Sequence, residues 1–247
     1  MGDIVAELMY PLNWGRFILS PELDKNLVTP GIRMPDSQIL LLILSWLAYF
    51  SLHSLLASIW VKQYVALRWP RAMSAYRLVF NMLAVLLLAV PLGLTLNASG
   101  PWIWRWSGLA SGVAVVLSAA AVVGFLWSLK FYDGREFLGL RQFNERNTSV
   151  DDQEQFQLSP LHRWVRHPWY FFALVIIWTR DMNAAMLITA ILMTLYFVIG
   201  SRLEERKLLR YHGEIYHRYR RQVPGLIPLP WKYLRDSDVQ ALAGDRE

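Results

Sequence analysis

Apolar residues gather in five runs along the chain, at 38–60, 78–96, 107–129, 168–180 and 184–200. A helix crosses a bilayer core with about 20 apolar residues at 1.5 Å rise each. The first three runs meet that length. The last two are shorter and meet at a turn around Arg180, Asp181, Met182 and Asn183. They read as a tight helical hairpin that crosses, or nearly crosses, the bilayer. Beyond Gly200 the pattern changes to a basic amphipathic helix. Glu204, Leu208, Tyr211, Ile215 and Tyr219 share one face, with Glu205, Leu209, His212 and Tyr216 on the adjoining strip. Pro224, Pro228 and Pro230 stop it. The pattern predicts an all-α, polytopic membrane protein with about five transmembrane helices. The last two form a short hairpin, and a cytoplasmic amphipathic helix follows over 202–222.

One integral-membrane domain is expected over 38–235, with a cytoplasmic loop at 130–166. An extracytoplasmic segment, 1–37, precedes it and a tail, 236–247, follows. The first run begins far from the start and lacks a basic leader and a small-residue cleavage site, so it reads as a resident helix rather than a signal peptide.

Composition agrees with this reading. Hydrophobic residues make up 55% of the 247 and charged residues 18%, against about 25% charged in soluble domains. Of the 12 Trp, Trp60, Trp69, Trp102, Trp104, Trp106, Trp127, Trp164 and Trp169 cluster near the ends of the runs. That is the position of an interfacial aromatic belt. The net charge of +6 therefore points to membrane lipids as the polyanionic partner, and not to nucleic acid. With no Cys in the chain, a disulfide scaffold, a thiolate metal site and a catalytic thiol are all excluded. No cluster with metal-ligand spacing appears, and the pattern suggests no protein partner.

Lys and Arg set the expected orientation. Lys62, Arg68, Arg71 and Arg77 flank the loop after the first run, whereas the next loop holds only Arg105. The tail after Gly200 is rich in Arg. The positive-inside rule then places loops one and three and the C-terminus in the cytoplasm, and the N-terminus outside.

Candidate chemistry sits at the cytoplasmic ends of the runs. His53 lies in the first, within FSLHSLLAS; it is either a histidine bonded to a neighbouring helix or a wall of a polar cavity. In VRHPWY, residues 165–170, Pro168 suits the first position of a helix and His167 the cap before it. Arg166 and His167 beside a helix N-terminus make a place for an anion, or simply a lipid-headgroup anchor. Glu204 and Glu205 leave the fifth run beside Arg202. An anchoring basic helix does not account for two acids facing an anionic leaflet. If the hairpin reverses near Asp181, then Arg166, His167 and Tyr170 approach Arg202, Glu204 and Glu205. Such a set of cations, acids and aromatics suits a zwitterionic, cationic or adenosine-bearing ligand.

These motifs resemble the isoprenylcysteine carboxyl methyltransferase-like superfamily. The shared pattern is Arg-His-Pro at Arg166–Pro168, a short hairpin, the acidic pair Glu204 and Glu205, a Tyr-rich helix containing Gly213, Tyr216 and Tyr219, and then Val223 and Pro224. HSLLAS from His53, FLGLRQF at 137–143 and LEERKL from Leu203 look more like the branch of methanethiol S-methyltransferases and NnrU-like proteins. The resemblance covers roughly residues 50–230. It implies an S-adenosylmethionine-dependent integral-membrane methyltransferase, releasing S-adenosylhomocysteine, in a bacterial inner membrane. The acceptor would be a lipophilic or small thiol, carboxyl or amine compound reached from the bilayer. Carried over by motif, His167, Tyr170, Glu204, Glu205 and Tyr216 bind the cofactor. For catalysis Arg166 and Arg202 orient carboxylates, and a thiol or amine acceptor would take its general base from His53 or His167. The Gly-Tyr pair usual before Arg-His-Pro in the prenylcysteine enzymes is absent, with Pro160, Leu161 and His162 nearby instead. The alternatives are an NADPH-dependent membrane reductase of the sterol-reductase type and a non-enzymatic membrane protein. The reductases usually carry an Arg-Asp pair where this chain has Glu204 and Glu205, and a transporter would place its polar residues at mid-membrane.

Overall fold

The structure is a computed structural model that describes residues 34–146, 150 and 159–238. The segment expected before the first helix and the tail after the last lie largely outside the described residues. The helices are α1 (Asp36–Ala57), α2 (Ile59–Arg68), α3 (Met73–Asn97), α4 (Gly108–Ser128), α5 (Gly134–Leu138), α6 (Leu140–Asn144), α7 (Pro168–Trp178) and α8 (Ala184–Gln222). Two short strands, β1 (Trp102–Trp104) and β2 (Met182–Asn183), pair antiparallel.

Among the described residues four helices are long and apolar enough to cross a bilayer: α1, α3, α4 and α8. The chain is an integral membrane protein. Its spans expose apolar side chains, among them Leu44, Val85, Leu109, Val116 and Val123, as lipid-facing helices do. The fourth run is short, as the sequence implies. At 11 residues, and so about 16 Å, α7 is shorter than a hydrocarbon core. The turn after it is reinforced from the loop between α3 and α4: Trp102 pairs with Asn183, Trp104 with Met182, and the Trp106 N–H donates to Asp181 Oδ1 at 2.9 Å. That pairing puts the second loop and the hairpin turn at the same end of the molecule.

The first run also ends earlier than its hydropathy. Ser58 is extended, and its hydroxyl accepts from the Val61 N–H at 3.3 Å, so α1 stops at Ala57. Trp60 and Leu67 fall on the separate α2, where both are exposed. At the same end, FLGLRQF folds against α3. Gly139, with φ +85°, closes α5 so near that a Cβ there would lie 2.5 Å from the Leu78 nitrogen.

Helix α1 packs on α3 and α8, and α7 lies between α4 and α8. A buried polar knot joins the first trio. Trp46 Nε1 donates to Thr189 Oγ1 at 3.0 Å, and Thr95 and Thr189 share a 2.8 Å hydrogen bond. Away from water these groups satisfy one another, with Thr95 also donating to the Pro91 carbonyl at 2.7 Å, and this fixes the depth at which the three helices meet. Helix α8 does not end at the membrane exit. It runs on through the predicted amphipathic segment and breaks from helical geometry at Gly213, with φ 50° and ψ −126°. A straight helix would put Tyr211 on the face of Tyr219; with the break, Tyr211 is exposed while Tyr216 and Tyr219 are buried with Val223 and Leu234.

Candidate functional site

The site forms where α7 begins and α8 leaves the apolar zone. Pro168 opens α7 and His167 precedes it, as the sequence predicts. The segment after α8 returns alongside: the Arg166 N–H donates to the Pro224 carbonyl at 2.9 Å and the His167 N–H to the Gly225 carbonyl at 3.1 Å. Farther back, Tyr219 donates to the His162 carbonyl at 2.7 Å, and Trp164 stacks on Tyr233 at 4.6 Å. The Arg-His-Pro motif is thereby clamped between α8 and the chain that follows it.

One oxygen, Glu205 Oε1, collects three donors. Arg166 Nε reaches it at 2.8 Å, Arg166 Nη2 at 2.7 Å and His167 Nε2 at 3.2 Å. Arg166 Nη1 donates to the Arg220 carbonyl at 2.8 Å and to the Val223 carbonyl. The guanidinium is thus committed within the protein. Glu204 sits differently. Its side chain is 41% exposed, and Oε2 lies 3.4 Å from His167 Nδ1 and 3.5 Å from the Tyr170 hydroxyl. The His167 ring stacks on Tyr170 at 5.3 Å, and Tyr170 stacks on Phe197 at 4.8 Å.

The electrostatics follow from this geometry. Burial pushes His167 down, but hydrogen bonds to Glu204 and Glu205, and their charges, raise it overall from 6.5 to about 9. It is an imidazolium donating from both nitrogens. Burial, then the His167 charge, lowers His162 to about 4, with Glu204 opposing. Its Nδ1 is 2.7 Å from the Ser159 hydroxyl. Burial, helped by the Glu204 charge, raises Tyr132 to about 12. Tyr132 and His162 thus feel the Glu204 charge, and Phe197 stacks on its neighbour Tyr170; pattern reading placed none of the three at the site. Only the stack had a sequence signal, since Phe197 precedes Glu204 by seven residues and so lies on the same helix face.

The remaining candidates divide. Tyr216 is fully buried, with its ring against Tyr219 at 5.7 Å. Arg202 is exposed, and among the described residues it makes no ion pair. His53 lies apart from the acids, near the cytoplasmic end predicted for α1. It sits among Tyr49, Phe80 and Tyr196, with ring centroids 5.7, 5.1 and 6.4 Å away. Among the described residues no three His, Cys, Asp or Glu are placed to hold a metal ion.

Residues 26–223 match the family described as "Protein of unknown function (DUF1295)". The chain belongs to this family. The chain is also similar to curated bacterial proteins, in keeping with the branch that the motifs resemble. The chain is 33% identical over 168 residues to a methanethiol S-methyltransferase of Crocosphaera subtropica, covering 64% of this chain and 62% of that protein. It is 33% identical over 145 residues to one of Mycobacterium tuberculosis, covering 53% and 59%. With methanethiol S-methyltransferase 2 of Bradyrhizobium diazoefficiens it shares 31% over 139 residues, covering 55% and 53%. The chain thus spans between about half and under two thirds of the length of these relatives. No solved structure matches it.

Proposed function

We propose that this protein is an S-adenosylmethionine-dependent integral-membrane methyltransferase whose acceptor is a small or lipophilic thiol reached from the bilayer. The observation that carries the reading is the division of labour in the acidic pair. Glu205 is spent on Arg166 and His167, whereas Glu204 stands partly exposed beside the Tyr170–Phe197 stack. A partly exposed carboxylate accepts from ribose hydroxyls or an ammonium, and aromatic faces attract a sulfonium. These residues fit the donor's functional groups. The named relatives support a thiol acceptor.

On this reading Glu204, Tyr170 and His167 hold the donor. Glu205 and Arg166 brace them, and Tyr216 supports the brace from the core. Arg202 remains available to orient a carboxylate at the surface. Bound there, the donor supplies an electrophilic methyl group. The protein's own work is to align the acceptor with it and to keep water out. The C-terminus and the 62–77 loop lie in the cytoplasm, at an inner membrane, with the N-terminus outside.

Titration of the detergent-purified chain with S-adenosylhomocysteine, and separately with NADPH, tests the function. Saturable binding of S-adenosylhomocysteine is expected; binding of NADPH alone would sink the reading. An impermeant thiol reagent on single introduced cysteines tests the orientation. A cysteine at Arg71 labelled from outside intact cells would reverse it.

A further inference from the structure

His53 has a buried ring nitrogen, Nδ1, with no hydrogen-bond partner among the described residues. A histidine kept only for packing would have both nitrogens satisfied, because an unpaired polar atom in an apolar setting is costly. Its surroundings are aromatic. Tyr49 comes from its own helix, Phe80 from α3 and Tyr196 from α8. Tyr196 is fixed in place by Phe50, stacked at 4.2 Å, and by Ser54, whose hydroxyl lies 3.2 Å from the phenol. From Tyr196 the rings continue without a break to the acidic site: Phe197 at 6.3 Å, Tyr170 at 4.8 Å from Phe197, and His167 at 5.3 Å from Tyr170. Along α8, Tyr196 and Glu204 are eight residues, and so about 12 Å, apart. The His53 ring cluster and the acidic site are the two ends of one aromatic wall.

Three histidines stand along or beside this wall, and two of them are engaged by protein groups. His167 faces a carboxylate with each nitrogen. His162 has Nδ1 on the Ser159 hydroxyl and its backbone carbonyl held by Tyr219. Rings with no cation among them do not stabilise an ionised carboxylate. They do suit a neutral thiol, whose sulfur packs well on aromatic edges. A neutral thiol is a weak nucleophile until it loses its proton.

We propose that His53 is a catalytic residue: it takes the proton of a neutral thiol held among Tyr49, Phe80 and Tyr196. This rests on the methyltransferase reading above. The S–H proton passes to Nδ1. The thiol sulfur bonds to the methyl carbon as that carbon's bond to the donor sulfonium breaks. The products are a thioether, S-adenosylhomocysteine and an imidazolium that returns its proton to water.

The test uses the full chain in detergent, with methanethiol as acceptor. His53→Ala should bind S-adenosylhomocysteine like the parent, while turnover falls by about 100- to 10,000-fold, the usual worth of a positioned proton acceptor. Added imidazole should restore part of it. Parental turnover in the variant, or a loss that imidazole does not relieve, overturns the proposal. Should His53→Ala fail to fold, His53→Gln carries the same test, with turnover lost and S-adenosylhomocysteine binding kept. A second measurement needs no turnover and no variant. Diethyl pyrocarbonate should modify His53 of the parent, as mapped by mass spectrometry, and dimethyl sulfide should protect it. Modification unaffected by the sulfide overturns the proposal as well. A parent chain that does not bind S-adenosylhomocysteine removes the methyltransferase reading and this one together, whereas parental binding with unaltered His53→Ala turnover removes this one alone.

Discussion

Arg166 grips Glu205 with two guanidinium nitrogens on one carboxylate oxygen, at 2.8 and 2.7 Å, and the two side chains are only 12% and 11% exposed. Thirty-nine residues apart, they pin the entry of α7 to the exit of α8. Such a pair gains little over a well-packed apolar one, but removing one partner strands the other charge away from water. Glu205→Gln should therefore destabilise the fold by about 3–5 kcal/mol, seen as a marked drop in melting temperature in detergent. Arg166→Met should do the same, and the double variant should recover part of the loss. Independent, additive effects would show that the pair is not a buried unit.

Glu204→Gln should behave differently. Its carboxylate is partly exposed and its contacts, at 3.4 and 3.5 Å, are long. The melting temperature should fall less than in Glu205→Gln, by the share that Glu204 has in holding the His167 charge. A charge-assisted hydrogen bond to a ligand contributes about 1.5–3 kcal/mol, so S-adenosylhomocysteine should bind roughly ten- to a hundredfold more weakly. Unchanged affinity in this variant would show that Glu204 does not face the donor.

The acid–base state of His167 gives a pH signature. Its value is raised from 6.5 to about 9 in the folded protein, so folding favours the protonated ring. The contribution is fully present below pH 6.5 or so and is lost as the pH rises through about 9. It amounts to a few kcal/mol at most. The melting temperature of the parent should fall across that window. His167→Asn should start lower and fall less, so the two curves converge above about pH 9. Parallel curves would mean that His167 is not charged in the fold.

Much of this was legible because membrane spans are governed by a single strong term. Runs of apolar residues forecast α1, α3, α4 and the start of α8 within a few positions. The junction of Arg166, His167 and Tyr170 with Glu204 and Glu205 was legible as well, since a short hairpin leaves its two ends little choice. The division of the acids was not. Adjacent helical residues point about 100° apart, which predicts that they differ but not which one is buried. That was decided by the Pro224–Gly225 carbonyls and the Val223 turn, features of chain return that carry no periodicity. The pairing of β1 with β2 was equally silent: three residues in a loop rich in Trp read as an interfacial belt. Hydropathy also overran α1, because Ser58 ends the helix by a local hydrogen bond that apolar averages do not register.

Gly213 tests the break in α8. Its φ of 50° with ψ −126° is open to glycine and strained for other residues, and a Cβ there would meet nothing within 4 Å. Any cost of Gly213→Ala is therefore conformational, on the order of 1–3 kcal/mol if the break is kept. If instead the helix straightens, Tyr216 and Tyr219 rotate out of the cluster with Val223 and Leu234. Either outcome should lower the melting temperature. Stabilisation, as expected for alanine in an ordinary helix, would show that α8 is unbroken there.

The contact of Gly124 with Phe172 sets two effects of opposite sign against each other. Helix α4 meets α7 so closely here that a Cβ on Gly124 would lie 2.7 Å from Phe172 Cζ and 2.8 Å from Cε1. Alanine is the better helix former by about 1 kcal/mol. Forcing a methyl against a buried ring costs about 1–3 kcal/mol. Phe172 is only 9% exposed, with Phe171 tilted beside it at 5.7 Å, so the ring has little room to yield and the clash should win. Gly124→Ala should lower the melting temperature. Phe172→Leu alone should also lower it, by removing ring contacts from the α4–α7 seam. In the Phe172→Leu background the clash is gone and the helix gain remains, so Gly124→Ala should then become neutral or stabilising. That reversal is a coupling of about 0.5–3 kcal/mol. If Gly124→Ala has the same sign in both backgrounds, the seam does not pack ring on glycine, and the placement of α7, with the Arg166–His167 entry it carries, would have to be redrawn.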